Sequence, residues 1–531
     1  MDSTQLVQIR KDFYLNIRKR VQSILGAETS ELKTYRNTYD KELARRKWQA
    51  IDKRHLFARL RSADIVLVGD FHAHKQSTRG FLRIIRKVKS DFVIGLECLR
   101  VKDQQSVEQF LEGKISEKDF LRQVAWKKHW SFPWENYKPL FKWAQQHKVK
   151  IYALNSDDVK KGLRERDKFS AKRLKEISQK NPKKKIFVQY GDLHLATTHL
   201  PKEISKVLPK ADKCVIFQSP ETLYFKIMEK QKELTTDVVK LSHDLWALNG
   251  LPPWVKWQDY LLYLESGHDK KVRVQDIDPT DTVANSIEFL SKSFGISTSL
   301  GALSVYSAND DSFFDLLEKV PNRPLKKRLI ENIQEGVSFY SPEMESGYLA
   351  RYSMNHVLRV AAEYLYFQSG GFTKTILDSK KDFLKIIWLE AVVYFCSKVK
   401  NPKRKSDTLQ DVRIALQKEQ FDDRGKEALM LALNQKLSEM QFLSTGKYKV
   451  LSEQVLKKYS RRSIETAAQI IGGIMGEKIF AAFHKKMIRL PENKGLIFRN
   501  LQLDAFSRVY FESLEMIESW PETFKSKYDK L

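Results

Sequence analysis

Apolar positions near the N-terminus fall at three-to-four spacing: Ile9, Phe13, Ile17, Val21 and Ile24 form one stripe, with Arg10, Lys11, Arg18, Lys19 and Arg20 off it. That period predicts a basic, amphipathic helical segment over residues 1–50, of the kind that docks on its own domain or lies on an anionic membrane. From about 55 to 228 the period switches back and forth. Short apolar runs at 65–69, 92–96, 150–154, 185–190, 213–218 and 223–227 read as strands. Helical patterns at 76–88, 103–112 with 116–124, 135–147 and 159–179 separate the first five. Regular β-α alternation predicts an α/β fold, a mostly parallel sheet flanked by helices. The last two runs, split by Ser219-Pro220-Glu221, read as a hairpin at the sheet edge. Farther on, helical patterns take over at 327–335, 346–368, 376–398, 407–418, 424–440, 451–459, 463–488 and 502–528. The expected division is thus a helical segment 1–50, an α/β domain 51–230 and a large all-α region 231–531 of one or two domains.

Chemistry collects where the strands end. The first delivers Gly69-Asp70-Phe71-His72, with His74 two residues on; the fourth delivers Tyr190-Gly191-Asp192-Leu193-His194. Between them the second strand ends at Glu97 and the third at Asn155. In an open parallel sheet, ligands bind outside the carboxyl ends of the strands. A carboxylate and an imidazole brought there twice read as a site, although Asp70 and Asp192 can also be read as caps of the following helices. Seven of the 11 histidines (His55, His72, His74, His129, His147, His194 and His199) lie in this part of the chain. Imidazoles with carboxylates suit a zinc, manganese or iron(II) site, with Asp70, His72, Glu97 and His194 as ligands. The same groups suit acid–base work, with His72, Glu97 and His194 as the catalytic set. No GxxxxGK[ST], GxGxxG, GxSxG or HExxH occurs, which leaves nucleotide cradling and the serine-elbow and zincin chemistries without a motif.

Charge and cysteine content narrow the setting. With 94 Lys and Arg against 66 Asp and Glu, the net charge is +28. That excess favours an anionic partner; nucleic acid is left open but no motif supports it. Three cysteines (Cys98, Cys214 and Cys396) without a CxxC exclude a disulfide framework and a thiolate zinc site. The N-terminus lacks the n- and h-regions of a signal peptide. The most apolar stretch, Phe383 to Val399, is broken by Lys385 and Glu390, so no transmembrane span and a cytoplasmic location are expected.

The ordered motifs resemble a known family. Ala63 to His72 is similar to the opening strand motif of the ChaN-like haem-binding uptake proteins, in the superfamily of the Tiki proteases, TraB/PrgY proteins and erythromycin-esterase-like proteins. Gly95-Leu96-Glu97, Trp130-Ser131-Phe132-Pro133-Trp134-Glu135-Asn136-Tyr137, Ile151 to Asn155, Arg166-Asp167 and Gly191-Asp192-Leu193-His194 follow in the family's order. Asp70 stands where the family has glutamate, a carboxylate one methylene shorter. The resemblance covers about 55 to 228. It implies a ChaN-like fold and binding of haem or a related tetrapyrrole, or of a divalent metal; in the wider superfamily it implies metal-dependent hydrolysis. The cofactor-binding residues expected are His72, His74, Tyr137, Arg166, Tyr190 and His194, with Tyr137 and Tyr190 as phenolate ligands to ferric iron and Arg166 pairing an anionic group such as a propionate; His74 stands where the family usually has an acidic or amide residue. Trp134, Tyr137 and Trp143, at helical spacing, also read as core. Three expectations therefore stand together: a ChaN-like binder of an anionic small-molecule ligand or cofactor, a metal-dependent hydrolase, and a non-enzymatic scaffold with a basic surface. Assembly as a homodimer is compatible with all three.

Overall fold

The computed structural model describes residues 3–158, 162–266, 279–301, 303–307, 310, 312–370, 378–417, 423–490, 492–502 and 505–520. Parts of the expected helices 159–179, 376–398, 407–418 and 502–528 lie outside the described residues. Two compact units divide the chain, one of Tyr14–Arg273 and one of Val274–Lys530 with Met1–Phe13.

The first unit is built on an eight-stranded sheet. Its strands are β1 (Gln49–Ile51), β2 (Ile65–Asp70), β3 (Phe92–Arg100), β4 (Ile151–Asn155), β5 (Lys185–Gly191), β6 (Lys213–Gln218), β7 (Val238–Lys240) and β8 (Leu245–Leu248). Their spatial order is β1-β7-β8-β6-β2-β5-β3-β4. The six strands from β8 to β4 are parallel, while β7 and β1 close the far edge antiparallel. Helices cover both faces, so central strands are buried on both sides: every residue of β2 is buried. Period-two alternation then sorts the core. Val66, Val68, Ile94 and Leu96 pack with the helices Lys75–Ile85 and Trp134–Gln146. Ile65, Leu67, Val93 and Val188 pack with Ser30–Arg45, Leu163–Lys180 and Leu200–Val207.

Two expectations change. Residues 223–227 are not a hairpin strand but part of the helix Glu221–Glu229, whose Leu223, Tyr224, Ile227 and Met228 are buried at helical spacing. Ser219 takes a left-handed φ of 51° immediately before Pro220, and the helix starts there. Neighbours of β6 are instead β2 and β8. Second, the region expected to be all-helical contains strands: β7 and β8 complete the main sheet, and β9 (Ser304–Ser307), β10 (Phe339–Ser341) and β11 (Ser346–Leu349) form a three-stranded sheet. Strands of three or four residues are too short to display a period.

In the second unit the apolar stretch around Phe383 is the helix Phe383–Lys400, buried along most of its circumference, and it packs on Arg461–His484. Its charges are answered locally: Glu390 pairs with Arg359, and Lys398 donates to Glu477 at 2.9 Å. A helix apolar all round is thus a core helix here. No helix among the described residues is long and apolar enough to cross a membrane. The pair approaches closely through glycine: a Cβ on Gly476 would lie 2.6 Å from the carbonyl oxygen of Ala391, and one on Gly472 would lie 2.8 Å from the backbone of Ile387 and Ala391. Gly476→Val is therefore expected to push the helices apart and lower stability by about 1–3 kcal/mol or more, measured by denaturant unfolding. An unchanged midpoint would contradict this packing.

Candidate functional site

The site grows from three adjacent central strands, β2, β5 and β3. Asp70 ends β2 in register with Gly191, which ends β5. Glu97 lies within β3, in the stretch between Leu96 and Arg100 where the ladder to β4 shifts register. The helix Leu163–Lys180 follows β4 and supplies Arg166 and Asp167 from its first turns.

Two Asp–His pairs result. His72 Nδ1 lies 2.9 Å from Asp70 Oδ2, which also accepts the Tyr137 hydroxyl at 2.9 Å. His194 Nδ1 lies 2.5 Å from Asp167 Oδ1, and the other oxygen of Asp167 accepts the Tyr35 hydroxyl at 3.0 Å. With each Nδ1 on a carboxylate, each Nε2 is the open nitrogen. Both point toward Glu97: His72 Nε2 is 3.8 Å from Oε2 and His194 Nε2 is 4.0 Å from Oε1. Glu97 is 3 % exposed and fully engaged, taking Arg166 Nη2 at 2.6 Å and the Gly191 N–H at 2.6 Å. Here Gly191 is required by crowding, because a Cβ would sit 3.2 Å from Glu97 Oε2, 3.3 Å from His72 Nε2 and 3.4 Å from His194 Cδ2.

Electrostatics follow from this packing. Burial pushes the His72 imidazole down, but the hydrogen bond and charge of Asp70 and the charge of Glu97 more than offset it, so its pKa is raised. Burial pushes Glu97 up, yet His72, Arg166 and His194 hold it below the usual carboxylate range. Asp192 has the charges of Lys256 and His72 near it but no hydrogen-bond donor. Both its oxygens are buried without a hydrogen-bond partner, and burial raises its pKa from 3.8 to about 6, against the pull of Lys256.

These groups border a cavity of about 520 Å³. Its wall includes Asp70, His72, Glu97, Arg166, Asp192 and His194, with Trp130 and Phe132 beside the imidazole of His72 at ring-centroid distances of 4.5 and 5.3 Å. The four residues Asp70, His72, Glu97 and His194 are thus brought together as expected. They do not make the expected metal set: among the described residues no group of three or more His, Cys, Asp or Glu side chains is arranged to hold a metal ion. Asp70 Oδ2, both oxygens of Glu97 and both Nδ1 atoms are already engaged, with Asp167, Tyr137, Arg166 and Gly191 among the partners, whereas Asp70 Oδ1 is buried without one.

Three suggested cofactor contacts lie behind the wall. His74 is buried and turns Nδ1 to Asp259 at 2.6 Å. Tyr137 is bonded to Asp70, and the Tyr190 hydroxyl lies 2.8 Å from that of Ser170; burial raises both phenols well above their ordinary value. Arg166 is held by Glu97. Conversely, the helix Pro253–Glu265 adds Lys256, Trp257 and Tyr260 to the wall, and Ser30–Arg45 adds Arg36, Tyr39 and Asp40. Nothing in their local sequence marks these as site residues; they arrive by packing.

The geometry is a cavity lined by two Asp–His pairs and a Glu–Arg pair at the carboxyl edge of a parallel sheet. Residues 56–189 match the family model described as haem-binding uptake, Tiki superfamily, ChaN, and so carry a ChaN-like domain. Among solved structures, "Cofacial heme binding to ChaN of Campylobacter jejuni" is 16% identical, with 32% of this chain and 88% of that chain covered and a TM-score of 0.25. No curated protein matches.

A pH test of the site follows. Because Asp192 binds its proton more tightly folded than unfolded, its ionisation costs stability as pH rises from 3.8 to about 6, by about 3 kcal/mol above that range. Asp192→Asn is expected to remove this slope and raise stability at pH ~7. Denaturant unfolding across pH checks it, and an identical profile in both proteins would contradict an isolated buried carboxylate.

Proposed function

We propose that the cavity binds haem or a related planar tetrapyrrole, with Nε2 of His72 as the ligating atom. The observation that carries the reading is His72 itself: Asp70 fixes Nδ1, Nε2 is open, and Trp130 and Phe132 flank the ring. A carboxylate on the far nitrogen orients a ligating imidazole and raises its basicity. The donor set fits the group, since the aromatic wall suits a porphyrin face and the volume of about 520 Å³ is of the right order for one. The match of residues 56–189 to a family described as haem-binding supports the same ligand. Bound haem supplies an iron centre and a visible absorption band; the chain's own part is to orient His72 through Asp70 and to keep Glu97 ionised beside it.

Haemin titration followed by visible absorbance tests this. The expected result is a saturable Soret shift that His72→Ala weakens at least tenfold; a featureless titration, the same in both proteins, would overturn the reading. Protonation of His72 removes its ligating lone pair, and its pKa is raised, so binding is expected to fall off with acidification beginning above the ordinary value of 6.5. Asp70→Asn removes a group that raises this pKa, so the acid limb should move to lower pH. A limb that stays in place would exclude His72 as the ligand.

A second reading is favoured by the two Asp–His pairs facing one Glu97–Arg166 pair. A water between the open Nε2 atoms would lose its proton to one imidazole, while the other donates to the leaving group, which is hydrolytic acid–base chemistry. Ester and amide substrates hydrolysed by the purified chain, with turnover lost in both His72→Ala and His194→Ala, would favour it over ligand storage.

A further inference from the structure

One arginine on the cavity wall has a task that the site described above does not use. Arg100 ends β3, opposite Asn155 of β4 and just past the register shift that re-aims this part of the strand. Its side chain is 7% exposed. Asp103 takes Nε at 2.9 Å and Nη2 at 2.8 Å, and the Val124 carbonyl takes Nη2 at 2.9 Å. Nη1 is buried and has no hydrogen-bond partner. A buried guanidinium nitrogen left in this state is costly unless something else satisfies it. Arg100 lines the cavity, and so do His129, Asn155 and Ser156 beside it, with the carboxylate of Asp158 also on this stretch of wall.

A separate observation gives the sign of the missing partner. Burial first, and then the positive charges of Arg100, Lys102 and Lys128, hold the His129 imidazole below its ordinary pKa. The opposing charge of Asp103 is smaller than that of Arg100, Lys102 or Lys128 at His129, so positive charge is in excess around this imidazole. Guanidinium nitrogens match the planar oxygens of a carboxylate or phosphate.

We infer that Arg100 and His129 form an oxyanion-binding end of this cavity, which anchors a carboxylate or phosphate group carried by the ligand. The inference rests on the reading that the cavity takes a small-molecule ligand, and it assigns the anion contact to Arg100 in place of Arg166, which Glu97 already holds. Arg100 is then a specificity residue: it selects for the anionic substituent, while His72 meets the body of the ligand.

The test compares haemin with its dimethyl ester, which lacks the two carboxylates, on wild type and Arg100→Gln. Haemin is expected to bind wild type about tenfold or more tightly than the ester, and that ratio should fall to about one in Arg100→Gln. A ratio unchanged in Arg100→Gln, with binding still dependent on His72, overturns the inference and leaves the haem reading standing. Should neither porphyrin bind, the haem reading fails alone, and the anion site is decided by inorganic phosphate and acetate. Their addition should raise the midpoint of the His129 ring titration, followed by NMR, in wild type and not in Arg100→Gln. Phosphate acting without acetate identifies a phosphate ligand, and the reverse a carboxylate; no movement with either overturns the inference. Because Arg100 is buried with Asp103, its variant can fail to fold. His129→Gln, at an exposed side chain, then decides by the same haemin-to-ester ratio, or by phosphate and acetate quenching of Trp130 fluorescence, and no change from wild type overturns the inference.

Discussion

A carboxylate buried among strands must be compensated on every side, and the site depends on how this is done for Glu97. Its two oxygens are taken by Arg166, from the helix after β4, and by the backbone N–H of Gly191, at the end of β5. Strand register and charge balance are therefore linked. A slip of β5 would withdraw the amide, and loss of Glu97 would leave Arg166 largely buried without its partner. Breaking such a pair costs about 3–5 kcal/mol, more than most substitutions in the core. The same carboxylate helps raise the pKa of His72, which makes it a structural and an electrostatic centre at once.

The two histidines flanking Glu97 are not equivalent. His72 is 24% exposed and meets its ligand-side neighbours, Trp130 and Phe132, in a loop between β2 and the next helix. His194 is 7% exposed and backed by a chain of contacts: Asp167 accepts from it, Tyr35 donates to Asp167, and the Tyr35 ring stacks on His199 at 3.9 Å. One imidazole is thus partly open to the cavity and the other enclosed. An axial ligand has to approach an incoming group, which favours His72; a fixed proton donor or acceptor is better served by His194.

Much of this was legible in the chain because parallel sheets advertise themselves. Buried strands of five or six apolar residues recur between amphipathic helices, and a Gly-Asp-x-His at the ends of β2 and β5 announces that polar groups share one edge. Glu97, Arg166 and Asp167 came with the ordered motifs. Illegible were the groups whose position depends on distant packing. Lys256 and Trp257 sit on a helix beyond the last predicted strand, and their sequence neighbourhood, Pro252-Pro253-Trp254, reads only as a buried helix start. The strands β7 and β8 were hidden by their length. Residues 223–227 misled because an apolar run of five suits a strand as well as a helix, and only the left-handed turn at Ser219 decides between them. Tyr137 and Tyr190 show a different kind of limit: sequence places them near the site, and packing turns their hydroxyls to Asp70 and Ser170.

The net charge of +28 suggests an anionic partner without saying where it would bind. Charges spread over a surface are screened within about 8–10 Å at physiological ionic strength, so they steer encounters more than they hold a ligand. Inside the cavity the balance is local. Asp40, Asp192 and Glu221 line one part of the wall with Lys256 among them, whereas Arg100, Arg166 and His129 line another. Burial presses Asp40 and Asp192 upward in pKa, which reduces their negative charge near neutrality, while arginine cannot lose its own. The positive charge of the wall is therefore held chiefly at Arg100 and Arg166, which are largely buried and fixed by Asp103 and Glu97. On the proposed reading, selection for an anionic group at this depth rests on a few fixed guanidinium nitrogens, and the surplus of lysine and arginine over the rest of the chain would add only to the rate at which such a ligand arrives.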